Sequence, residues 1–392
     1  MNKEAEYLLS VLQRFVHGEK ADVFSGDWEE LLRLAGIHSV TGILGSMLMQ
    51  SDQPDSDCVS VLRRECLHTI GEYSQRARRM KDLIRKMDEQ GIDHLLFKGY
   101  VLKDYYPVPE LRTFGDIDFL IHAEDREKSD ALMMQCGFER KTDWEPVYSY
   151  YKKLEFYEIH SDIMEEDITD RSDYKAYFDR TWERAQLRDG HTFVFKPEDH
   201  LIYLLFHIAK HIRDSGAGIR MYLDIAVFLK HFNGDLDGEY LKGELEKLAF
   251  SDFANMVFSV VELFFKVDSP IPLREVEPQI LDDFMDFTME GGVFGHASRD
   301  LGVNALKNDD RSAEKVSRVS TLLHLMFPPA KDLEKRYTYL QDKPWLLPAA
   351  WVHRVVRTRR TWGLHAKEAV SIMNTDTDDV IKLRRIYKEI GL

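Results

Sequence analysis

Two aspartates separated by one residue are the feature of this sequence with the clearest chemical meaning. Asp116 and Asp118 lie in the segment Gly-Asp-Ile-Asp-Phe-Leu-Ile, which begins at Gly115. On an extended strand, residues i and i+2 project from the same face, so the two carboxylates are predicted to lie side by side. Adjacent carboxylates repel each other unless a cation neutralises them, and hard oxygen ligands suit Mg²⁺ or Mn²⁺. The alternative is an ordinary acidic pair on a solvated strand.

The segments around the aspartates change character near residue 91. Before it, apolar residues recur at three- and four-residue steps, which predicts amphipathic helices at Ala5–Val16, Trp28–Leu48 and Val59–Gln90. After it, short apolar runs predict strands at Ile92–Phe97, Asp116–Ile121 and Leu154–His160, with helices at Tyr100–Tyr106 and Glu124–Cys136 between them. From Pro197 onward the pattern predicts helices at Glu198–Arg213, Ile219–Phe232, Tyr240–Phe265, Ile280–Glu290, Val316–Met326 and Asp376–Ile390.

These patterns predict an α+β protein with a small mixed sheet at its centre. We expect a helical N-terminal segment over residues 1–90, the sheet-bearing core over 91–195 and an all-helical C-terminal domain over 196–392. A chain of 392 residues, 44% of them hydrophobic, is long enough for more than one packed body.

Charge and cysteine content narrow the classes of partner. A formal net charge of −15 disfavours a surface that neutralises many phosphates of a long nucleic acid, so a bound nucleotide is expected to be small and accompanied by metal. Only Cys58, Cys66 and Cys136 are present, without a Cys-x-x-Cys spacing, which indicates neither a disulfide framework nor a thiolate zinc site. No apolar run approaches the roughly 18 residues that span a bilayer. A cytoplasmic protein without membrane partners is expected.

The stretch Leu95–Ile121 resembles an uncharacterised branch of the DNA polymerase beta-like nucleotidyltransferase superfamily. Such chains combine a Lys-Gly turn after a strand, an Arg, and a Gly-Asp-Ile-Asp strand, which correspond here to Lys98-Gly99, Arg112 and the segment that begins at Gly115. In the wider superfamily the first turn is usually Gly-Gly or Gly-Ser, and its backbone holds the triphosphate of the nucleotide. The resemblance extends over about residues 25 to 235.

The resemblance implies a nucleotide site around the Lys-Gly turn. Lys98 would place a positive charge on phosphate while Gly99 lets the backbone approach closely, although a surface lysine after a strand is the plainer interpretation of Lys98. Arg112 would either clamp a phosphate with two hydrogen bonds or pair with Asp116 to organise the loop. Gly115 completes this group of nucleotide-binding candidates.

A third carboxylate completes sites of this superfamily, on a strand beside the Asp-x-Asp strand. Glu158 is the best match, and it would bind metal and accept the proton of an attacking hydroxyl. Glu155 and Asp162 are neighbouring acids that compete for the same assignment. His160 lies on the face of Glu158 if the strand is regular, where it would orient that carboxylate or contact phosphate, or serve only structure.

The helices after Pro197 carry two further candidate pairs. Arg220 and Asp224 are four residues apart, so Arg220 either faces the nucleotide cleft or forms an ordinary ion pair with Asp224 along the helix. His207 and His211 have the spacing of a zinc-binding pair, but no third ligand completes a recognisable motif.

The function that the resemblance implies is metal-dependent nucleotidyl transfer. A nucleoside monophosphate would pass from a nucleoside triphosphate to a hydroxyl of a small molecule or protein, with release of pyrophosphate, at Asp116, Asp118 and Glu158 with Mg²⁺ or Mn²⁺. Two alternatives stay open: a protein-modifying enzyme of the antitoxin type, and a catalytically silent nucleotide-binding or scaffold protein.

Overall fold

The computed structural model describes most of the chain. The described residues are 1–113, 115–141, 147–153, 155–163, 168–169, 171–214, 216–292, 327–333, 337, 339–357 and 377–392. The chain divides into two compact units, the first formed by Met1–Gly295 with Ile390–Leu392 and the second by His296–Glu389. The boundaries predicted at residues 90 and 195 both fall within the first unit, and the division into three domains stays a prediction.

The first unit begins with four helices, three of which start at a capping side chain. The helices are α1 (Lys3–His17), α2 (Trp28–Ile37), α3 (Thr41–Met49) and α4 (Asp57–Glu89). Asn2, Asp27 and Ser56 accept hydrogen bonds from the free backbone amides at the starts of α1, α2 and α4. The single helix predicted over Trp28–Leu48 is in fact two, because the chain turns at Ser39, whose φ of 55° cannot continue a right-handed helix.

A seven-stranded mixed sheet follows, with short helices in its connections. Its strands are β1 (His94–Leu96), β2 (Ile117–Ile121), β3 (Glu139–Arg140), β4 (Val147–Lys152), β5 (Glu155–His160), β6 (Ala185–Asp189) and β7 (Thr192–Phe195). The connecting helices are α5 (Gly99–Leu102), α6 (Arg126–Gln135), α7 (Tyr174–Asp179) and α8 (Thr181–Arg184). The strand order is β3-β4-β5-β2-β1-β7-β6. The predicted α+β class with a mixed sheet is confirmed.

The three predicted strands are the three central ones, and the other four were missed. β1 pairs with β2 in antiparallel fashion, and β2 pairs with β5 in parallel. Near the edges, β6 is almost entirely exposed and carries Arg188 and Asp189, so it lacks the apolar run by which a buried strand is recognised. β3 has only two residues, both exposed.

One face of the central strands forms the main core of the sheet. Met80, Leu83 and Met87 of α4 pack with Leu132 and Met133 of α6 against the apolar side chains of β2 and β5. On β5 those side chains are Tyr157 and Ile159. Because successive side chains of a strand point to opposite faces, Asp118 of β2 and Glu158 and His160 of β5 lie on the other face.

Helices from Pro197 onward complete the first unit. They are α9 (Pro197–Asp214), α10 (Ile219–Phe232), α11 (Gly238–Lys247), α12 (Ser251–Val260) and α13 (Pro278–Gly291). Within the second unit the described helices are α14 (Ala330–Leu333), α15 (Tyr339–Asp342), α16 (Leu347–Arg357) and α17 (Thr377–Glu389). The helix predicted at Val316–Met326 lies outside the described residues. None of the described helices is both long and apolar enough to cross a membrane.

Candidate active site

The parallel pairing of β2 with β5 brings two acidic residues together. Asp118 is the register partner of Glu158, and both side chains leave the sheet on the same face. Carboxylate oxygens of these two residues and a ring nitrogen of His160 all lie within 4.8 Å of one another. Asp118 is 2% exposed, so its charge sits in a largely water-free environment.

Of the three acids considered for the third carboxylate, Glu158 is the one beside Asp118. Glu155 lies on the opposite face of β5, where it forms an ion pair with Arg79 of α4. Asp162 follows the strand and lies 3.6 Å from the ammonium of Lys175. The alternation of side chains therefore separates Glu158 from Glu155, and Asp162 is separated because it lies beyond the end of β5, beside Lys175.

Asp118 is the centre of the hydrogen bonds at the site. Its Oδ1 atom accepts a hydrogen bond from Lys98 Nζ at 2.6 Å and one from His160 Nε2 at 3.0 Å. The carboxylate can only accept, so the hydrogen of this bond lies on Nε2 of the imidazole. Burial by itself would raise the pKa of Asp118, but the ammonium of Lys98 and the hydrogen bond from His160 outweigh burial and lower the pKa to about 2.

The other two carboxylates have pKa values shifted in the opposite direction. Burial, followed by the negative charge of Asp118, raises the pKa of Glu158. The same two causes raise the pKa of Asp116, which is half-buried immediately before β2. Asp116 does not belong to the close group of ligand atoms formed by Asp118, Glu158 and His160. One carboxylate of the site is thus firmly ionised, while two are placed where a further positive charge would stabilise them.

The Lys-Gly turn has an unusual backbone conformation. Lys98 has a φ of 55° and a ψ of −135°, a combination that glycine adopts readily and other residues rarely. Holding a lysine there costs on the order of 1–3 kcal/mol. The conformation directs the chain into α5 at Gly99, which is buried, while the ammonium of Lys98 reaches Asp118. The glycine-favouring conformation fits the Gly-Gly or Gly-Ser turn of related sequences, with lysine here in its first position.

Arg112 forms its ion pair with Asp224 rather than with Asp116. Its Nε and Nη2 atoms donate to the two carboxylate oxygens of Asp224 on α10, at 3.0 and 2.8 Å. The hydroxyl of Tyr106 donates to the same carboxylate at 2.7 Å, and Arg112 is only 6% exposed. Of the two interpretations of Arg220, the helical ion pair with Asp224 is not formed among the described residues: the carboxylate of Asp224 binds Arg112 and Tyr106, and Arg220 donates to a carbonyl instead. The predicted contact of Arg112 with phosphate stays a prediction.

Arg220 is held more loosely than Arg112. Its Nη1 donates to the carbonyl of Thr113 at 2.8 Å, whereas its buried Nε has no hydrogen-bond partner in the described part of the chain. Burial lowers the pKa of Arg220, and the nearby charge of Arg112 lowers it further. Gly115 is exposed, and a Cβ added there would meet nothing within 4 Å. Local packing therefore does not require glycine at this position.

The sequence analysis missed Tyr203 on α9. Its ring packs edge-on against Phe97 with 5.2 Å between the ring centroids, and the charge of the Lys98 ammonium acts on its hydroxyl and lowers its pKa against the effect of burial. The ring of His207 stacks on the ring of Tyr203 with 6.2 Å between centroids. The ring of His211, one turn further along the helix, lies 4.6 Å from that of His207. Tyr203, His207 and His211 are spaced four residues apart, so extending the histidine pair by one turn would have found Tyr203.

The mixed sheet and the cluster of Asp118, Glu158 and His160 lie within a part of the chain that matches a protein family. Residues 25–266 match a family described as an uncharacterised nucleotidyltransferase. The match covers more than half of the chain, and the protein belongs to this nucleotidyltransferase family, as the resemblance at Leu95–Ile121 predicted. Searches of curated proteins and of solved structures found no match.

Proposed function

We propose that this protein is a metal-dependent enzyme that transfers a nucleoside monophosphate from a nucleoside triphosphate to a hydroxyl of a small molecule or a protein. The observation that carries the proposal is the buried group of Asp118, Glu158 and His160, with the cations of Lys98 and Arg220 near it. A site of this composition has acidic groups to hold a divalent cation and basic groups to hold the phosphates that accompany it.

The residues present fit a divalent cation. Two carboxylates and an imidazole offer ligand atoms within 4.8 Å of one another, and the oxygen ligands suit Mg²⁺ or Mn²⁺. Asp118 and Glu158 would bind the cation directly and Asp116 would be a further ligand, while His160, which donates from Nε2 to Asp118, would orient that carboxylate. When bound, the cation neutralises charge on the triphosphate and favours in-line displacement at phosphorus. The raised pKa values of Asp116 and Glu158 show that both carboxylates gain from such a charge.

The side chains of the site divide the remaining work. Lys98 and Arg220 hold phosphate oxygens, and the turn at Gly99 together with the open space at Gly115 lets the nucleotide approach the backbone. Glu158 accepts the proton of the attacking hydroxyl as the new oxygen–phosphorus bond forms and the bond to pyrophosphate breaks. A carboxylate with a raised pKa is better suited to this transfer than one with an ordinary pKa.

Arg112 acts in this scheme as a positioning residue. Its Nη1 donates to the carbonyl of Thr113 at 3.2 Å, and the Thr113 hydroxyl donates to the carbonyl of Ser39 at 3.0 Å. With Asp224 on its other side, Arg112 ties the segment that leads to Asp116 onto α10. The proposed reaction takes place in the cytoplasm and uses a small nucleotide rather than a long nucleic acid, in keeping with the net charge of −15.

The test is transfer of label from nucleotide to acceptor. The protein is incubated with each α-labelled nucleoside triphosphate and Mg²⁺ or Mn²⁺, with and without cell extract, and the labelled product is separated by size. We expect metal-dependent labelling by the parent protein and none by Asp118→Asn. Asp189→Asn, at an exposed position on β6, is the matched control and should label normally. Nucleotide binding without any labelled product would instead support the catalytically silent alternative.

A further inference from the structure

Lys98 and Asp118 form the shortest ion pair at the proposed metal site. Lys98 Nζ lies 2.6 Å from Asp118 Oδ1, and the two side chains are 17% and 2% exposed. The ammonium therefore already supplies a positive charge to the carboxylate that is expected to bind metal. A lysine that served only as a surface charge would not need the glycine-like backbone conformation that brings Nζ to this place.

The contact occupies one oxygen of the carboxylate that a metal ion would need. Asp118 Oδ1 accepts from both Lys98 and His160, so this side of the carboxylate is occupied by hydrogen-bond donors. A divalent cation that binds Asp118 together with Glu158 would lie a few Å from the ammonium, where two positive charges in a poorly hydrated site repel strongly. Metal and ammonium therefore compete for one carboxylate.

We propose that Lys98 is an exchangeable counter-ion that makes metal binding depend on the triphosphate. Without nucleotide, its ammonium neutralises Asp118 and weakens binding of a bare divalent cation. When a metal–triphosphate complex arrives, phosphate oxygens become the new partners of the ammonium, and Asp118 becomes available to the metal. The inference rests on the proposed nucleotide site and adds to it an order of events: metal binds well only together with phosphate.

Two features of the surroundings allow such an exchange. The Lys98 side chain keeps some solvent exposure, unlike that of Asp118, so its ammonium can move without leaving a charge fully buried. Its neighbours are the Tyr203 hydroxyl and the Phe97 ring, whose centroid lies 5.5 Å from Nζ. Both tolerate a mobile cation. The negative charges of Asp116 and Glu158 also act on the ammonium, so it stays within the site when it leaves Asp118.

Substitution of Lys98 tests the proposal through metal affinity rather than activity. Calorimetry measures binding of Mn²⁺ alone and of the manganese complex of inorganic triphosphate to the full chain. In Lys98→Met we expect Mn²⁺ alone to bind roughly tenfold more tightly and the triphosphate complex roughly tenfold more weakly. Opposite changes of this kind are not produced by a general loss of structure. Lys98→Gly, which suits the local backbone, should show the same pair of changes and guards against misfolding of the methionine variant.

Lys153 provides a control for replacing a lysine by glycine at a positive φ. It is an exposed lysine with a φ of 57°, so Lys153→Gly makes the same exchange of side chain away from the site and should leave both affinities unchanged. Unchanged Mn²⁺ affinity in both Lys98 variants would overturn the competition. Tighter binding of both Mn²⁺ and its triphosphate complex would overturn the exchange of partners. If Mn²⁺ alone binds more tightly in the variants but the parent transfers no label, the counter-ion is supported and the transferase function fails.

Discussion

Two buried ion pairs near the aspartates, Arg112 with Asp224 and Lys98 with Asp118, differ in their geometry. Arg112 binds Asp224 through two nitrogens in an ordinary extended backbone conformation, and Tyr106 adds a third hydrogen bond to the carboxylate. Lys98 binds Asp118 through a single atom and holds a strained backbone to do so. In the first pair every nitrogen of the guanidinium has an acceptor, whereas in the second pair one ammonium contact with one carboxylate oxygen leaves bonding capacity on both partners.

From this difference we infer that the Arg112–Asp224 pair is a structural support and that the Lys98–Asp118 pair belongs to the proposed site. A planar guanidinium in a two-point contact is difficult to replace, so the Arg112–Asp224 pair fixes the position of its loop. An ammonium has three donors that rotate freely, which is the property that the proposed exchange of Asp118 for phosphate by Lys98 requires. The two arginines show the same contrast, since Arg112 is fully partnered while Arg220 contacts a carbonyl and keeps a buried Nε without a partner among the described atoms.

The largest expected effect is the loss of stability when Asp224, the carboxylate partner of Arg112, is removed. Asp224→Ala leaves the buried guanidinium of Arg112 without its carboxylate, and we expect the free energy of unfolding to fall by about 3–5 kcal/mol. Urea denaturation followed by circular dichroism measures it. Asp118→Ala is the matched comparison and should cost less, because the Lys98 side chain is 17% exposed and its ammonium can reach water, whereas Arg112 is 6% exposed. Equal losses in the two variants would show that both pairs are structural.

The second effect concerns turnover at the proposed site. Glu158→Gln removes the proposed proton acceptor but keeps its shape, so we expect transfer to fall by roughly a hundredfold, about 2.7 kcal/mol in activation free energy. Binding of the nucleotide should change much less, because Lys98 and Arg220 remain. Glu155→Gln, on the opposite face of the same strand, is the control and should retain turnover. A Glu158 variant that turns over at the parental rate would exclude this carboxylate as the base.

The centre of the sheet could be predicted from the sequence because its strands are short apolar runs with a motif on them. The edge strand β6 could not, since an exposed strand lacks an apolar signature. Alternation along β5 placed Glu158 and His160 on one face from spacing alone. The partner of Asp224 could not be found in this way, because Arg112 is 112 residues distant and only the packing of α10 brings them together. Local periodicity favoured Arg220 instead, which is four residues away on the same helix.

The smallest expected effect is a loss of nucleotide affinity in Arg220→Gln, which distinguishes Arg220 from Arg112. Arg220→Gln removes a positive charge that has no carboxylate partner within ion-pair distance in the described chain, so folding loses little. If Arg220 holds a phosphate oxygen, the affinity for the metal–nucleotide complex should fall by roughly tenfold, or about 1.4 kcal/mol. Calorimetry with the preferred nucleoside triphosphate and Mg²⁺ measures the affinity, and urea denaturation measures stability. The loss should diminish with added salt, because a partly solvated contact between charges is screened.

Arg112→Lys is the control that distinguishes an arginine needed for folding from one needed for nucleotide binding. Lysine keeps the charge but cannot make both bonds to Asp224, so the variant should lose about 2 kcal/mol of stability, the scale of one charge-assisted hydrogen bond. Its affinity for nucleotide, measured well below the unfolding transition, should remain close to that of the parent. The two arginine variants would then have opposite profiles, one affecting binding and the other affecting folding. If Arg112→Lys weakened binding at unchanged stability, Arg112 would be the phosphate ligand and the assignments of the two arginines would have to be exchanged.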